Sequence, residues 1–493
     1  MTAYQQLVAH FATIDKFSHL AAICGWDQAA MMPSGGAQAR SEAMAELAVH
    51  IHSLSCDPRI GDWLQAAQSQ ELSTIEQASV REMARSFQQA TILPQRLVEA
   101  KAIAGAKCEH AWRTQRKNND WQGFLINFQE VVALSREEAA VRASQGHATA
   151  YDAMLDLYEP GVTSQQLDGV FGDVKTWLPD FINTAVERQS KLAVADSHYP
   201  TSAQTQLGQA LMAQFGFDFA RGRLDVSVHP FCGGVSQDTR ITTRYREDDF
   251  LQAMMGVIHE TGHACYEQGL PSALAALPVG KARSMGIHES QSLFYEMQIA
   301  RDSSFSEVLF AAVKQHLADY LPADFSVTKL QQQIQQVERG FIRVDADEVT
   351  YPAHVILRYE IERDLINGAI EAEHLPALWQ EKMQSYLGLS TAGNYRDGCM
   401  QDIHWTDGSF GYFPSYTLGA MYAAQFRAAM EREFDVSKAL QAGDLAPLRN
   451  WLDKNVWQQA SLLETNELVR VATGEQLNPN YFKQHLAKRY LGQ

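Results

Sequence analysis

The sequence predicts a mainly α protein with one small antiparallel β-sheet, and three observations carry that reading. Proline is scarce, at 15 of 493 residues. Long stretches rich in Ala, Leu, Gln, Glu and Arg fill the first two hundred positions, with apolar residues at the three-and-four spacing of a helix face. A single region, RLDVSVHPFCGGVSQDTRITTRY from Arg223 to Tyr245, alternates like a strand instead.

Composition bounds the function before any motif is considered. The chain carries 41 Lys plus Arg against 58 Asp plus Glu, a net charge of −17, so it should repel nucleic acid and acidic membrane surfaces. No apolar run is long enough to cross a bilayer. The N-terminus lacks the basic region and apolar stretch of a secretory signal, and six cysteines stand without CxxC spacing, which reads as free thiols in the cytoplasm.

Taken in order, the elements begin with a break at Pro33, Ser34 and Gly35. A helix follows whose Ala43, Leu47, Ala48 and Ile51 are expected to form one buried face. Leu224, Val226 and Val228 then alternate with polar residues, Pro230, Gly233 and Gly234 interrupt, and Ile241 to Thr243 form a second β-favouring run, so an antiparallel hairpin is expected. By the same alternation Arg244 and Arg246 should share a face with Arg240. The acidic pair Asp248 and Asp249 is placed to cap a helix from Phe250 to Gln268, which Gly269 and Pro271 end.

That helix contains HETGH. His259 and His263 are four residues apart, so both imidazoles leave the same face one turn apart and can share one cation. Glu260, about 100° round the helix, can reach a water on the metal without being a ligand. Tyr266 and Gly269 occupy the places where the longer zincin signature needs Gly and His, so the third ligand must come from elsewhere. In the next helical stretch, from Ser284, Glu289 is the first candidate and Glu296 the rival, while His288 points away and reads as a supporting residue.

At this point the motifs resemble those of the carboxypeptidase Taq family of metallocarboxypeptidases. They are HPF at His229, DTRIT at Asp238, HETGH, HESQ at His288, IRVDAD at Ile342, GCMQDIHW at Gly398 and GYFPSYTLG at Gly411. GWDQAAMMPSGGAQAR from Gly25 resembles the family's N-terminal part. The resemblance implies a neurolysin-like helical body cleft by a deep groove and acting as a homodimer. Residues 1–220 would form an N-terminal helical wall and residues 221–493 the catalytic part, in one continuous domain. It implies a carboxypeptidase of broad specificity with one divalent metal per chain, Zn2+ first, Co2+ or Mn2+ as alternatives. The ligands implied are His259, His263 and Glu289.

The remaining chemistry falls on residues inside these motifs. Glu260 would act as general base, while His404 and Tyr416, with Tyr412 as the alternative phenol, would donate to the oxyanion. Gly408 and Gly411 suit a loop that approaches substrate closely. A carboxypeptidase must grip a free carboxylate, and Arg343 and Arg240 are the candidate clamps because a guanidinium fork donates two parallel hydrogen bonds. The competing reading gives each to a nearby acid, Asp238 for Arg240 and Asp345 or Asp347 for Arg343. The partners expected are peptides with a free C-terminus, and neither nucleic acid nor membrane.

Overall fold

Four helices open the chain in the computed structural model, which describes residues 1–190 and 197–493: α1 (Ala3–Ala30), α2 (Ala37–Ser55), α3 (Arg59–Ala67) and α4 (Thr74–Thr91). Thr2 with Gln5, and Ser73 with Glu76, form reciprocal capping boxes that satisfy the first amides of α1 and α4. These helices enclose a small core of Leu7, Phe11, Ile60, Leu64 and Met83, to which Leu277 and Val279 are added from much later in the chain. Helix α2 departs from expectation. Ala43 and Ala48 are exposed, Leu47 and Ile51 are only half-buried, and no residue of α2 is buried. It packs mainly on α1 and less on α4, so its apolar spacing meets neighbouring helices without entering a core.

Helices α5 (Gln95–Lys117), α6 (Trp121–Ala143), α7 (Ala150–Leu155), α8 (Ser164–Arg188) and α9 (Thr201–Phe215) lead to the strands. From α5 onward one large core runs from Ala104 to Leu486, drawing on residues from both sides of position 220.

The sheet has strands β1 (Gly222–Val226), β2 (Phe231–Val235) and β3 (Asp238–Thr243), in the order β1-β3-β2. The expected purely antiparallel hairpin is corrected to a mixed sheet. β3 pairs antiparallel with β2, Cys232 opposite Ile241, and parallel with β1, Leu224 opposite Ile241. Alternation marks which residues share a face but carries no direction, and Gly233 and Gly234, read as an interruption, belong to the antiparallel partner itself. β3 ends at Thr243, so Arg244 and Arg246 lie beyond it, and Arg246 pairs with Asp248.

Ile241 is fully buried where β3 packs on α10 (Phe250–Gly269). There follow α11 (Met285–Leu293), a π-helical turn (Phe294–Ala300), α12 (Ser306–Leu317), α13 (Val327–Ile334), α14 (Tyr351–Ile366) and α15 (Leu375–Leu387). A long irregular segment then leads to α16 (Pro414–Glu431), and α17 (Val436–Gln441), α18 (Ala446–Asn455), α19 (Thr465–Thr473) and α20 (Asn480–Leu486) complete the chain. α10, α11 and α16 pack in succession, and the candidate site lies where they meet.

Candidate active site

Asp249 caps α10, its carboxylate accepting from the amides of Leu251 and Gln252 at 2.9 and 3.3 Å. One turn apart on this helix, the rings of His259 and His263 have centroids 5.1 Å from each other. α11 runs antiparallel alongside and brings Glu289 between them, 3.9 Å from His259 Nε2 and 3.4 Å from His263 Nε2. A ligand atom from each of the three lies within 4.8 Å of the others.

The close crossing depends on glycine. A Cβ on Gly262 would lie 2.4 Å from the Gln291 carbonyl oxygen, and one on Gly419 of α16 would lie 2.7 Å from Glu289 Cγ. At the start of α11, buried Glu159 accepts from the Ser284 hydroxyl at 2.6 Å and from the Gly286 amide. That anchors the helix turn preceding Glu289.

The outer nitrogens of both histidines are also engaged. His259 Nδ1 donates to Glu296 Oε2 at 3.0 Å, so once the ring is neutral its Nε2 lone pair is the one free for a ligand. His263 Nδ1 meets His288 Nδ1 at 2.7 Å, and His288 Nε2 meets Glu267 Oε1 at 2.9 Å. A consistent proton assignment has His288 donating to Glu267 and accepting from His263, which again leaves Nε2 bare. Thus Glu296, the rival ligand, stands behind His259, and His288 stands behind His263.

Charge at this centre is strongly unbalanced. Burial opposes a charged His259, but the Glu296 hydrogen bond and the Glu289 charge outweigh it and push the imidazole up to about 10. His263, with a histidine rather than a carboxylate at its outer nitrogen, is pushed down to about 4 by burial. Burial raises Glu260 to about 7, with Glu289 adding to the effect. Two imidazole Nε2 atoms, that of His259 after it gives up its proton, and a carboxylate among further buried acids are a donor set suited to a divalent metal with a position left open.

A second group converges from the C-terminal half. Arg343 is buried, donating through Nε to Asp402 Oδ1 at 2.9 Å and through Nη1 to the Tyr351 hydroxyl at 2.8 Å. Gln401 accepts from its backbone amide at 2.8 Å. Asp402 also binds buried Arg358 at 2.6 Å. The Arg343 guanidinium lies 5.0 Å from the Tyr416 ring, and the Tyr416 hydroxyl is 3.4 Å from His404 Nε2. Tyr412 stacks on His404 at 5.6 Å. Burial, with Arg343 nearby, pushes His404 down to about 4. Tyr416 precedes Gly419 by about one helical turn, which sets this group beside Glu289.

Arg343 therefore pairs with Asp402, correcting the expectation of Asp345 or Asp347. Asp347 accepts instead from the amides of Glu338, Val349 and Thr350. Arg240 binds Asp238 through two nitrogens at 2.6 and 2.7 Å and stacks on Trp26 of α1 at 4.4 Å. It holds the sheet against the N-terminal helices. Gly408 and Gly411 have positive φ as a tight loop requires, but a Cβ on either would strike Ser135 or the Met154–Leu155 backbone. At both positions the space a Cβ would need is taken by the protein body.

Sequence reasoning assigned no role to Asp402 or Gln401, although both lie in the quoted GCMQDIHW. An acid two residues before the candidate His404 was the available signal. Their arginine partners stand between 44 and 59 residues away in sequence, beyond the reach of spacing arguments. No described helix is long and apolar enough to cross a membrane.

Comparison with known proteins agrees along the whole chain. Residues 6–490 match the family model described as Carboxypeptidase Taq (M32) metallopeptidase. Thermostable carboxypeptidase 1 of Thermus thermophilus is 36% identical, covering 99% of this chain and 98% of its own. Carboxypeptidase 1 of Bacillus subtilis is 34% identical over 97% and 96%. The structure of Trypanosoma cruzi metallocarboxypeptidase 1 superposes with a TM-score of 0.97 at 43% identity, covering 99% of each chain. The chain belongs to the carboxypeptidase Taq (M32) family of metallopeptidases.

Proposed function

We propose that this metal-dependent carboxypeptidase removes C-terminal residues one at a time with broad side-chain tolerance, using Zn2+ held by His259, His263 and Glu289. The observation that carries this reading is the buried Arg343 fork beside Tyr416, itself about one helical turn from the contact with Glu289. An ion at the three ligands would supply Lewis acidity and lower the pKa of water there.

Glu260 takes a proton from the attacking water as its oxygen bonds to the scissile carbonyl carbon. The same carboxyl gives that proton to the departing nitrogen as the C–N bond breaks. His404 Nε2 and the Tyr416 hydroxyl, 3.4 Å apart, converge so that both can donate to the oxyanion. Tyr412, stacked on His404, sets its ring plane. Arg343 binds the substrate's terminal carboxylate, with Asp402 and Tyr351 holding its fork in place. Arg240 keeps the wall of the groove in position through Trp26.

Broad tolerance follows if the peptide adds as a strand to the sheet, because main-chain hydrogen bonds ignore side chains. β2 is an edge strand and packs on α10, the helix that carries Glu260, which supports that edge as the one nearest the cut. A homodimer follows from the family resemblance, and the cytoplasm from the six free cysteines.

Time-resolved mass spectrometry of a digested peptide, with metal analysis of the enzyme, tests the reading. A ladder of single losses from the C-terminus and one zinc per chain is expected. Internal cleavage, or equal cleavage of C-terminally amidated peptide, would mean an endopeptidase.

A further inference from the structure

The π-helical turn Phe294–Ala300 continues α11 past Glu289 and carries Glu296. Such wide turns are rare and concentrate at functional sites. Here the turn ends at Arg301, whose Nη2 donates to Glu296 Oε1 at 2.7 Å, while Oε2 of the same carboxylate meets His259 Nδ1 at 3.0 Å. Each Glu296 oxygen thus has one partner. Arg301 is itself fixed by a second contact, from Nη1 to the Ile334 carbonyl at the end of α13.

We propose that Arg301 is a positioning residue of the metal centre, acting through Glu296 on the ring of His259. A carboxylate held on both oxygens cannot rotate about its last bond, so the imidazole hydrogen-bonded to it keeps one tautomer and one tilt. Without Arg301, one oxygen of a buried carboxylate loses its partner. The cost of that loss drives the side chain to another position and draws His259 with it.

The surroundings suit a fixed support. The Gln298 carbonyl, within the same turn, accepts from Arg427 Nη1 at 2.8 Å. Glu348, fully buried, gathers His485, Arg489 and Tyr490 from the C-terminal helix at 2.5, 2.8 and 2.8 Å. That carboxylate lies close enough to Arg301 to favour its charge. The C-terminal end of the chain therefore backs the support of a ligand more than 200 residues earlier.

This inference rests on the reading of His259, His263 and Glu289 as ligands, and the test separates the two. Zn2+ dissociation constants are measured by chelator competition on the full chain, alongside thermal unfolding of the metal-free protein. Glu289→Ala checks the ligand set, and an unchanged constant there would overturn both readings. With that control behaving as a lost ligand, Arg301→Ala should weaken zinc by about 10-fold to 100-fold. Arg301→Lys should fall between it and wild type, since one ammonium cannot reproduce the fork between Glu296 and the Ile334 carbonyl. With zinc saturating, kcat should recover in both. If Arg301→Ala unfolds more easily yet binds zinc like wild type, Arg301 serves only the fold and the proposal is overturned. Should the alanine variant not fold, an unchanged constant in Arg301→Lys overturns it equally, and a weakened one supports it.

Discussion

Gly262 faces the backbone of Ser292 so closely that a Cβ on it would lie 2.6 Å from the Ser292 Cα. The glycine inside HETGH is therefore where α10 and α11 touch, and this contact sets the separation of the two histidines from Glu289. Gly262→Ala should cost about 1–3 kcal/mol of stability as the helices part. It should also weaken zinc binding, although no ligand is altered. Denaturant unfolding with a metal titration checks both, and wild-type zinc affinity in this variant would show that the crossing does not set the ligand spacing.

Glu260 is next to a proposed ligand in sequence but points elsewhere on the helix. Glu260→Gln should keep zinc at one per chain while lowering kcat by about 10²-fold to 10⁴-fold, the range for loss of a general base. Zinc analysis and steady-state kinetics on one preparation decide it. Full metal with near wild-type turnover would remove Glu260 from the chemistry.

Arg343 tests what makes the enzyme a carboxypeptidase. Removing one partner of a buried charge pair costs about 2–5 kcal/mol, so Arg343→Ala should lower kcat/KM for free-acid peptides roughly 30-fold to 4,000-fold. Amidated peptides, poor substrates from the start, should lose far less, and the acid-to-amide preference should narrow. Asp402→Asn should act in the same direction, because Asp402 steadies both Arg343 and Arg358. An unchanged preference with both rates reduced would place Arg343 in the fold alone.

Glu362 ties down the loop that carries His404 and Tyr412. Its buried carboxylate accepts from Trp405 Nε1 at 2.7 Å and the Gly411 amide at 3.1 Å, and burial raises it from near 4.5 to about 7. Between those values the folded chain holds a proton that the unfolded chain releases, so this group lowers stability as pH rises through the window and not above it. The shift corresponds to about 3 kcal/mol at 1.36 kcal/mol per unit. Glu362→Gln stays neutral, so the stability of the variant relative to wild type should improve by about that amount from pH 5 to pH 8. Parallel urea-denaturation curves at every pH would refute it.

HETGH was legible because a helix turns four residues into one face, so two imidazoles and a neighbouring carboxylate are placed by local geometry alone. The helical class was legible for the same reason. So was the cap at Asp249, since a cap acts within three residues of itself. Strand positions could be read from alternation, but not the parallel pairing of β1 with β3, because direction depends on where the chain returns. The apolar spacing of α2 likewise marked a face without saying whether anything would cover it.

What the sequence determined by itself about this protein is its helical class, the helix that sets the two histidines of HETGH on one face and, through the ordered motifs, its family. Only the tertiary structure decided that Glu296 stands behind His259 while Glu289 stands before it, that Asp402 gathers Arg343 and Arg358, and that Arg240 belongs to Asp238 and Trp26. Two acids two turns apart on nearly the same helix face are equivalent to any spacing argument. The partner each meets depends on the crossing of α10 over α11 and on a π-helical turn, both set by close packing between distant segments.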